Sequence, residues 1–259
     1  IRVYMNLDFS DDQKFLQSEA KKFLEKEDSI KRSRSVLDES GSMDPELWQK
    51  IVDLGWTGIR IPEEFDGLGL GHLELCVIAE ELGRFIAPVP FSSSVYLFTE
   101  TIIKYGNEDL KKDILPKLVS GEIVGTLAVT EDFLAPTSSN ITTEVSNNKI
   151  TGKKIAVPDA GIATHSIIVC KSSNGIDLRL IDLSDKSLSI SSQETVRRLG
   201  KGMPRGGPVV LLAITPNPQA LQAWLGGELS TPPRALRCLH WPWEWVRDDG
   251  ATNHEAPHR

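Results

Sequence analysis

The hydrophobic period of this chain changes once, near residue 120, from helical spacing to alternation. Helices first and strands afterwards is a segregated order, which excludes the βαβ alternation of a doubly wound nucleotide fold and favours an α+β architecture. No GxGxxG or Walker sequence argues otherwise. The expected fold is an N-terminal all-α helical domain, then an antiparallel β-barrel or sandwich domain, then an irregular C-terminal tail.

The helical signals are local. Ser10 and Gln13 stand at capping-box spacing, Asp11 and Asp12 complement the dipole of a first turn, and Leu16, Ala20, Phe23 and Leu24 follow at helical spacing. Asp44 as N-cap and Pro45 at the first helical position open a second helix through Leu47, Trp48, Ile51 and Leu54, which stops at Gly55. From Gly55 to Gly71, Gly58, Gly67, Gly69 and Pro62 defeat both regular periods and predict a structured loop. A phosphate cradle needs a strand before such glycines and a lysine at the helix start, and this loop has neither. Leu73 to Arg84 is apolar on more than one stripe, which predicts a helix at the centre of a bundle. Val95, Phe98, Ile102 and Tyr105 share a face of a helix from Ser92 to Tyr105, and Asn107 caps one that carries Leu110, Ile114 and Leu118.

From about 123 to 192 the pattern predicts strands. Ile123, Gly125, Leu127 and Val129 alternate with more polar neighbours, as do Ile176, Leu178 and Leu180, and Asn147-Asn148 and Asn174-Gly175 are turn dipeptides. From Leu199 the composition shifts: four of the six tryptophans, eight of the fifteen prolines and one of the sixteen lysines lie there. A period survives only at Val209 to Ile214 and Ala220 to Leu225, and prolines interrupt the rest. Such a junction is what foreign or out-of-frame coding sequence would produce, so 199–259 is read as an aberrant tail, and intact-gene sequencing tests that. His240, Trp241, Trp243 and Trp245 read better as exposed aromatic surface than as a stacking patch, since prolines and Asp248 and Asp249 surround them.

A net charge of −7 argues against a general affinity for nucleic acid or anionic lipid. Three cysteines, Cys76, Cys170 and Cys238, form neither a disulfide framework nor a CxxC pair, and Cys76 and Cys170 read as small buried hydrophobes. No run of 18 apolar residues and no signal-peptide h-region is present, so the expectation is a soluble chain without a membrane span. Its compartment is expected to be cytoplasmic or another reducing interior such as the mitochondrial matrix. MNLDFSDDQ suggests a natural start at Met5. His72 and His165 lack carboxylates at ligand spacing, so they read as surface or boundary residues and no metal is expected.

Four pieces, in order, resemble the acyl-CoA dehydrogenase family. LGWTGIRIPEEFDGLGLG (Leu54 to Gly71), with a helix ending EELGRFIAPVPF, resembles its N-terminal helical domain. YGNEDLKKDILPKLVSGE (Tyr105 to Glu122) resembles the passage into its β-domain, and LAVTE (Leu127 to Glu131) its flavin-contacting strand. MNLDFSDDQKFL resembles the family's opening. The resemblance covers about residues 5 to 192, and implies a helical domain at 5–121 and a middle β-domain at 122–192.

That likeness implies FAD bound between the β-domain and a C-terminal four-helix bundle. It also implies oxidation of an acyl-CoA substrate to the trans-2-enoyl-CoA: a carboxylate of the bundle takes the α-proton, the β-hydrogen leaves as hydride to flavin N5, and electrons pass to an electron-transferring flavoprotein. Homo- or hetero-oligomers through that bundle are implied as well. No catalytic residue is assigned within this chain, because Glu228, Glu244 and Glu255 sit in no family-like helix and read as solvated. The chain is accordingly read as truncated or mis-spliced, with little or no turnover expected.

For the cofactor, the resemblance points to Val129 and Thr130 at a strand end and to Ala156 and Pro158 in GKKIAVPDAG. Thr130 reads either as a flavin contact or as a plain strand-terminal threonine, and Glu131 is expected to face solvent. Ala156 and Pro158 replace the family's tryptophan and its Thr or Ser, so an aromatic flavin shield is absent. DFLAPTSSN departs from the family's Gly-Ser-Asp segment, leaving Ser138 and Ser139 as substrate-binding candidates. Two alternatives stand beside this reading: a flavin-dependent oxidase or monooxygenase on the same fold, and a non-catalytic subunit that pairs with a complete homologue.

Overall fold

A computed structural model describes residues 8–39, 41–132, 136–146, 149–185, 188–194, 208–214 and 221–224. The readings of Glu228, Glu244, Glu255 and the His240–Trp245 patch fall outside them.

Helix α1 (Asp11–Lys26) opens on the expected capping box: Gln13 N donates to Ser10 Oγ at 3.2 Å and Ser10 N to Gln13 Oε1 at 3.0 Å. Helix α3 (Pro45–Asp53) opens as expected too, with Leu47 N donating to Asp44 Oδ1 at 2.9 Å. Between them lies α2 (Ser29–Asp38), which no apolar stripe announces. It is held by polar groups instead: the Ser33 hydroxyl donates to the Ile86 carbonyl, and Arg32 reaches Glu27, Asp44 and Glu46.

The glycine-rich loop closes on its own backbone. Leu68 N donates to Gly58 O at 2.9 Å, Gly69 N to Ile61 O at 2.8 Å and Leu70 N to Ile59 O at 2.9 Å. At Gly67 a Cβ would collide with the Ile61 carbonyl, which is why a glycine is needed there. Helix α4 (His72–Arg84) buries Leu75, Val77, Ile78 and Leu82 at the bundle centre. Cys76 lies exposed on this helix, contrary to expectation, whereas Cys170 is fully buried. The predicted Ser92–Tyr105 helix is a π-helical stretch, Ser92–Thr99, that runs into α5 (Glu100–Tyr105). Helix α6 (Glu108–Val119) follows, capped by Asn107.

The strands are β1 (Gly125–Ala128), β2 (Glu144–Ser146), β3 (Lys149–Val157), β4 (His165–Ser172), β5 (Gly175–Asp182), β6 (Leu188–Glu194), β7 (Pro208–Ile214) and β8 (Leu221–Trp224). They form one sheet in the order β6-β7-β3-β2-β4-β5-β8, with β1 beside β4. The sheet is mixed rather than purely antiparallel: β1 runs parallel to β4 from Gly125↔His165 to Ala128↔Ile168, and β2 meets β4 in parallel at Glu144↔Lys171. Alternation identifies a strand but not its direction. Thr164 N donates to Val124 O at 2.8 Å, so β1 and β4 leave the helical layer at the same point and in the same sense. The tail, expected to be irregular, supplies β7 and β8 at the two stretches where a period survives.

The sheet is covered on both faces. Leu127, Val129, Ile167, Val169, Leu178 and Leu180 share one apolar cluster with Phe98 and Ile102 and with Ile114, Leu115 and Leu118 of α6. Ala128, Ile168, Cys170 and Ile181 pack on the other face with Ile150 and Val157. A third cluster joins α1, α3 and α4 through Leu24, Trp48, Ile51, Trp56 and Ile78. Among the described residues no helix is long and apolar enough to cross a membrane.

Candidate functional site

The end of β1 and the turn after β3 meet at one corner of the sheet. Ile155 N donates to Thr130 O at 2.8 Å, and the ammonium of Lys154 donates to Val129 O at 3.0 Å. Val129 and Thr130 are therefore brought against the segment that carries Ala156 and Pro158. A register shift between Lys154 and Val157 marks a bulge in β3, and within it Ala156 is exposed at φ +53°. The Pro158 carbonyl accepts from Thr126 Oγ1 at 2.6 Å, which fixes the turn to β1.

Thr130 is half-buried, and among the described residues its one hydrogen bond is the one its carbonyl accepts from Ile155. Among the described residues its hydroxyl and N–H take part in no hydrogen bond. Ser138 and Ser139 are exposed turn residues; Ser139 Oγ lies 2.9 Å from Thr137 Oγ1, and no hydrogen bond among the described residues ties either serine to the corner.

Glu131 does not face solvent as expected. Its carboxylate accepts from Thr142 N at 2.5 Å, Thr142 Oγ1 at 2.6 Å, Thr143 N at 3.0 Å and Lys154 Nζ at 2.6 Å. Burial alone would raise this carboxyl, but the ammonium and the threonine donors outweigh it and hold it down to about 2. Lys154 is 0% exposed, and burial pulls its ammonium below the usual lysine range against the pull of Glu131. A signal for the pair exists in the sequence. Lys154 shares strand parity with the buried Ile150, and a lysine at an inward position demands a carboxylate.

Asp159 is a second, half-buried acid at this corner. Its Oδ2 accepts from Ser93 Oγ of the π-helical stretch at 2.6 Å, and burial pushes its carboxyl up. It ties the β3 turn to the helical layer. His165, at the opposite end of β4, is half-buried and held below its ordinary range by that burial, while His72 is exposed. Among the described residues no group of three or more His, Cys, Asp or Glu is arranged to hold a metal ion.

The family model described as "Acyl-CoA dehydrogenase, N-terminal domain" matches residues 10–122. Residues 10–122 are therefore similar to the N-terminal domain of the acyl-CoA dehydrogenase family. Mitochondrial isovaleryl-CoA dehydrogenase of Bos taurus is 34% identical over 126 residues, which are 47% of this chain and 29% of that enzyme. The chain thus spans less than a third of this curated counterpart in the match. Among solved structures, a variant of the Tcur3481-Tcur3483 steroid ACAD superposes with a TM-score of 0.64 at 27% identity, covering 81% of this chain and 58% of that one. A glutaryl-CoA dehydrogenase from Mycobacterium smegmatis in complex with FADH2 superposes with a TM-score of 0.70 at 18% identity, covering 89% and 58%, and shows the fold. A helical region followed by a mixed-sheet domain is the acyl-CoA dehydrogenase fold.

The donor set at Thr130 fits the polar edge of a flavin, which presents carbonyl and ring-nitrogen acceptors. The β3 turn fits less well on its apolar side, since Ala156 and Pro158 bring no ring.

Proposed function

We propose that residues 8–194 serve the α,β-dehydrogenation of an acyl-CoA thioester by holding one edge of FAD at the Thr130 corner. The observation that carries this reading is that the half-buried Thr130 keeps a hydroxyl and an N–H without a hydrogen-bond partner among the described residues, beside carbonyls of Val129 and Thr130 that are both paired. Bound FAD would supply a hydride acceptor. Thr130 would donate to the flavin edge, Val129 would pack beneath it, and Ala156 and Pro158 would line the open side of the turn. Fixed donors of this kind orient a cofactor and tune its electron affinity without reorganising when charge develops.

Neither acid at the corner is suited to remove the α-proton. Glu131 is already spent on four donors, and Asp159 is turned toward Ser93. A general base must reach the α-carbon directly, so we assign that role to a carboxylate outside residues 8–194. Ser138 and Ser139, on an exposed turn, are the substrate-side candidates. An electron-transferring flavoprotein as acceptor, and assembly with further copies or homologues, complete this reading.

A second reading is favoured by the ringless turn at Ala156 and Pro158: a non-catalytic subunit that keeps the fold and pairs with a complete homologue. The visible spectrum of the purified chain, with and without added FAD, separates the two. Protein-bound flavin bands at about 370 and 450 nm support the cofactor reading. A chain that stays colourless with excess FAD supports the second.

A further inference from the structure

The geometry points to Lys154 as a positioning residue: with Glu131 as its anchor, it fixes the Val129–Glu131 end of β1 on the bulge of β3, and so sets where Thr130 stands. Three bonds converge. The ammonium holds the Val129 carbonyl at 3.0 Å and the Glu131 carboxylate at 2.6 Å, and one residue further along β3 Ile155 N holds the Thr130 carbonyl at 2.8 Å. On the far side the same carboxylate draws in Thr142 and Thr143, the residues that lead into β2. Neither charged side chain reaches solvent appreciably, the lysine being 0% and the glutamate side chain 8% exposed.

A buried ion pair is a poor source of stability compared with apolar side chains of similar volume, so its use here calls for another reason. Direction supplies it. An apolar residue at 154 would fill the space but bind neither the Val129 carbonyl nor the Glu131 carboxylate. The strand end would then keep only the bond from Ile155 and the threonine donors on an unneutralised Glu131 carboxylate. β1 stops at Ala128, so no sheet ladder restrains residues 129–131, and the lysine replaces that ladder with one charged donor. The bulge that follows lets Lys154 keep its inward parity while Ala156 and Pro158 turn back toward the same corner.

This role in cofactor placement rests on the flavin reading above, and the test separates the two. Amide hydrogen exchange is measured on the full chain and on Lys154→Met, with Lys154→Met/Glu131→Gln as the form that leaves no unpaired buried carboxylate. FAD affinity and the shape of the flavin band at about 450 nm are recorded on the same samples. Protection at Ile155, Thr142 and Thr143 is expected to fall by tenfold or more while β4 and β5 keep theirs. FAD affinity is expected to fall at least tenfold, with loss of the fine structure of that band. Unchanged protection at Ile155 overturns the positioning role. Lost protection with unchanged affinity and band shape overturns its link to the cofactor. If the unsubstituted chain takes up no FAD, the flavin reading fails, and exchange alone decides: lost protection upholds Lys154 as the strand-end clamp, kept protection removes it.

Discussion

Asp159 carries an ionisation against its surroundings. Burial raises its carboxyl above the ordinary aspartate value, and the hydroxyl of Ser93 opposes that only in part. A pKa raised in the folded state means that stability is fullest below the unfolded value and is lost as pH rises through the folded one. Asp159→Asn removes the charge and keeps a group able to pair with Ser93. Asparagine also tolerates the positive φ of 52° at this position. The variant is expected to melt above the parent at pH 7, with the gap closing toward pH 4. Melting temperatures at the two pH values check this, and a variant that melts lower at pH 7 would contradict it. Glu131 titrates in the opposite sense: its carboxyl is held down to about 2, so its contribution is full above the usual glutamate range, declines below it and is lost as pH falls through about 2. Cys170 is a different case, fully buried with its thiol pushed up to about 12, so it is expected to react with a thiol reagent only on unfolding, whereas Cys76 reacts in the native state. Mass spectrometry of the labelled native chain reads both.

At the scale of elements, the closest fit is between β1 and the π-helical stretch. A Cβ at Gly125 would run into the ring carbons of Phe98, which is itself fully buried. Gly125→Ala is therefore expected to cost about 1 to 3 kcal/mol, the usual range for overpacking a core. Chemical denaturation checks it, and a loss under about half a kcal/mol would show that Phe98 swings away freely. The same elements show which features a sequence carries openly. Capping residues act within four positions, so Ser10, Asp44 and Asn107 mark the starts of α1, α3 and α6 without any tertiary information. Helix α2 has no such mark: its N-cap Asp28 makes no side-chain capping bond, and Ser33 and Arg32, which hold it, bind partners up to 53 residues away. Strand direction is equally long-range, and the parallel pairing of β1 with β4 joins segments 40 residues apart. At the site, alternation reaches Val129, and only the resemblance of LAVTE to the family's strand points to Thr130. The clamp beneath them was hidden because Glu131 and Lys154 meet only once β1 and β3 are side by side.

On the scale of the molecule, the division between helices and sheet does not coincide with a division of the core. Ile114, Leu115 and Leu118 of α6 belong to the same apolar cluster as Leu127, Ile167 and Leu178 of the sheet, and Gly125 N and Asp159 Oδ2 bond to serines of the π-helical stretch. A helical layer parted from this sheet would expose the cluster to water, at about 25 cal/mol for each Å² of apolar surface. The two layers are thus expected to open as one cooperative unit rather than as two domains. Leu115→Ala makes the expectation measurable, since Leu115 is 0% exposed and a truncation of that kind costs about 2 to 5 kcal/mol. Under native conditions the slowest amides of α6 and those of β4 and β5 should lose the same amount of protection in this variant, although the substitution lies in the helix. Amides of α1, packed in the separate cluster with α3 and α4, are the internal control and should lose less wherever they exchange by local opening. If α6 loses protection while β4 and β5 keep theirs, the sheet is stable without its helical cover, and the Thr130 corner is held by the strands alone.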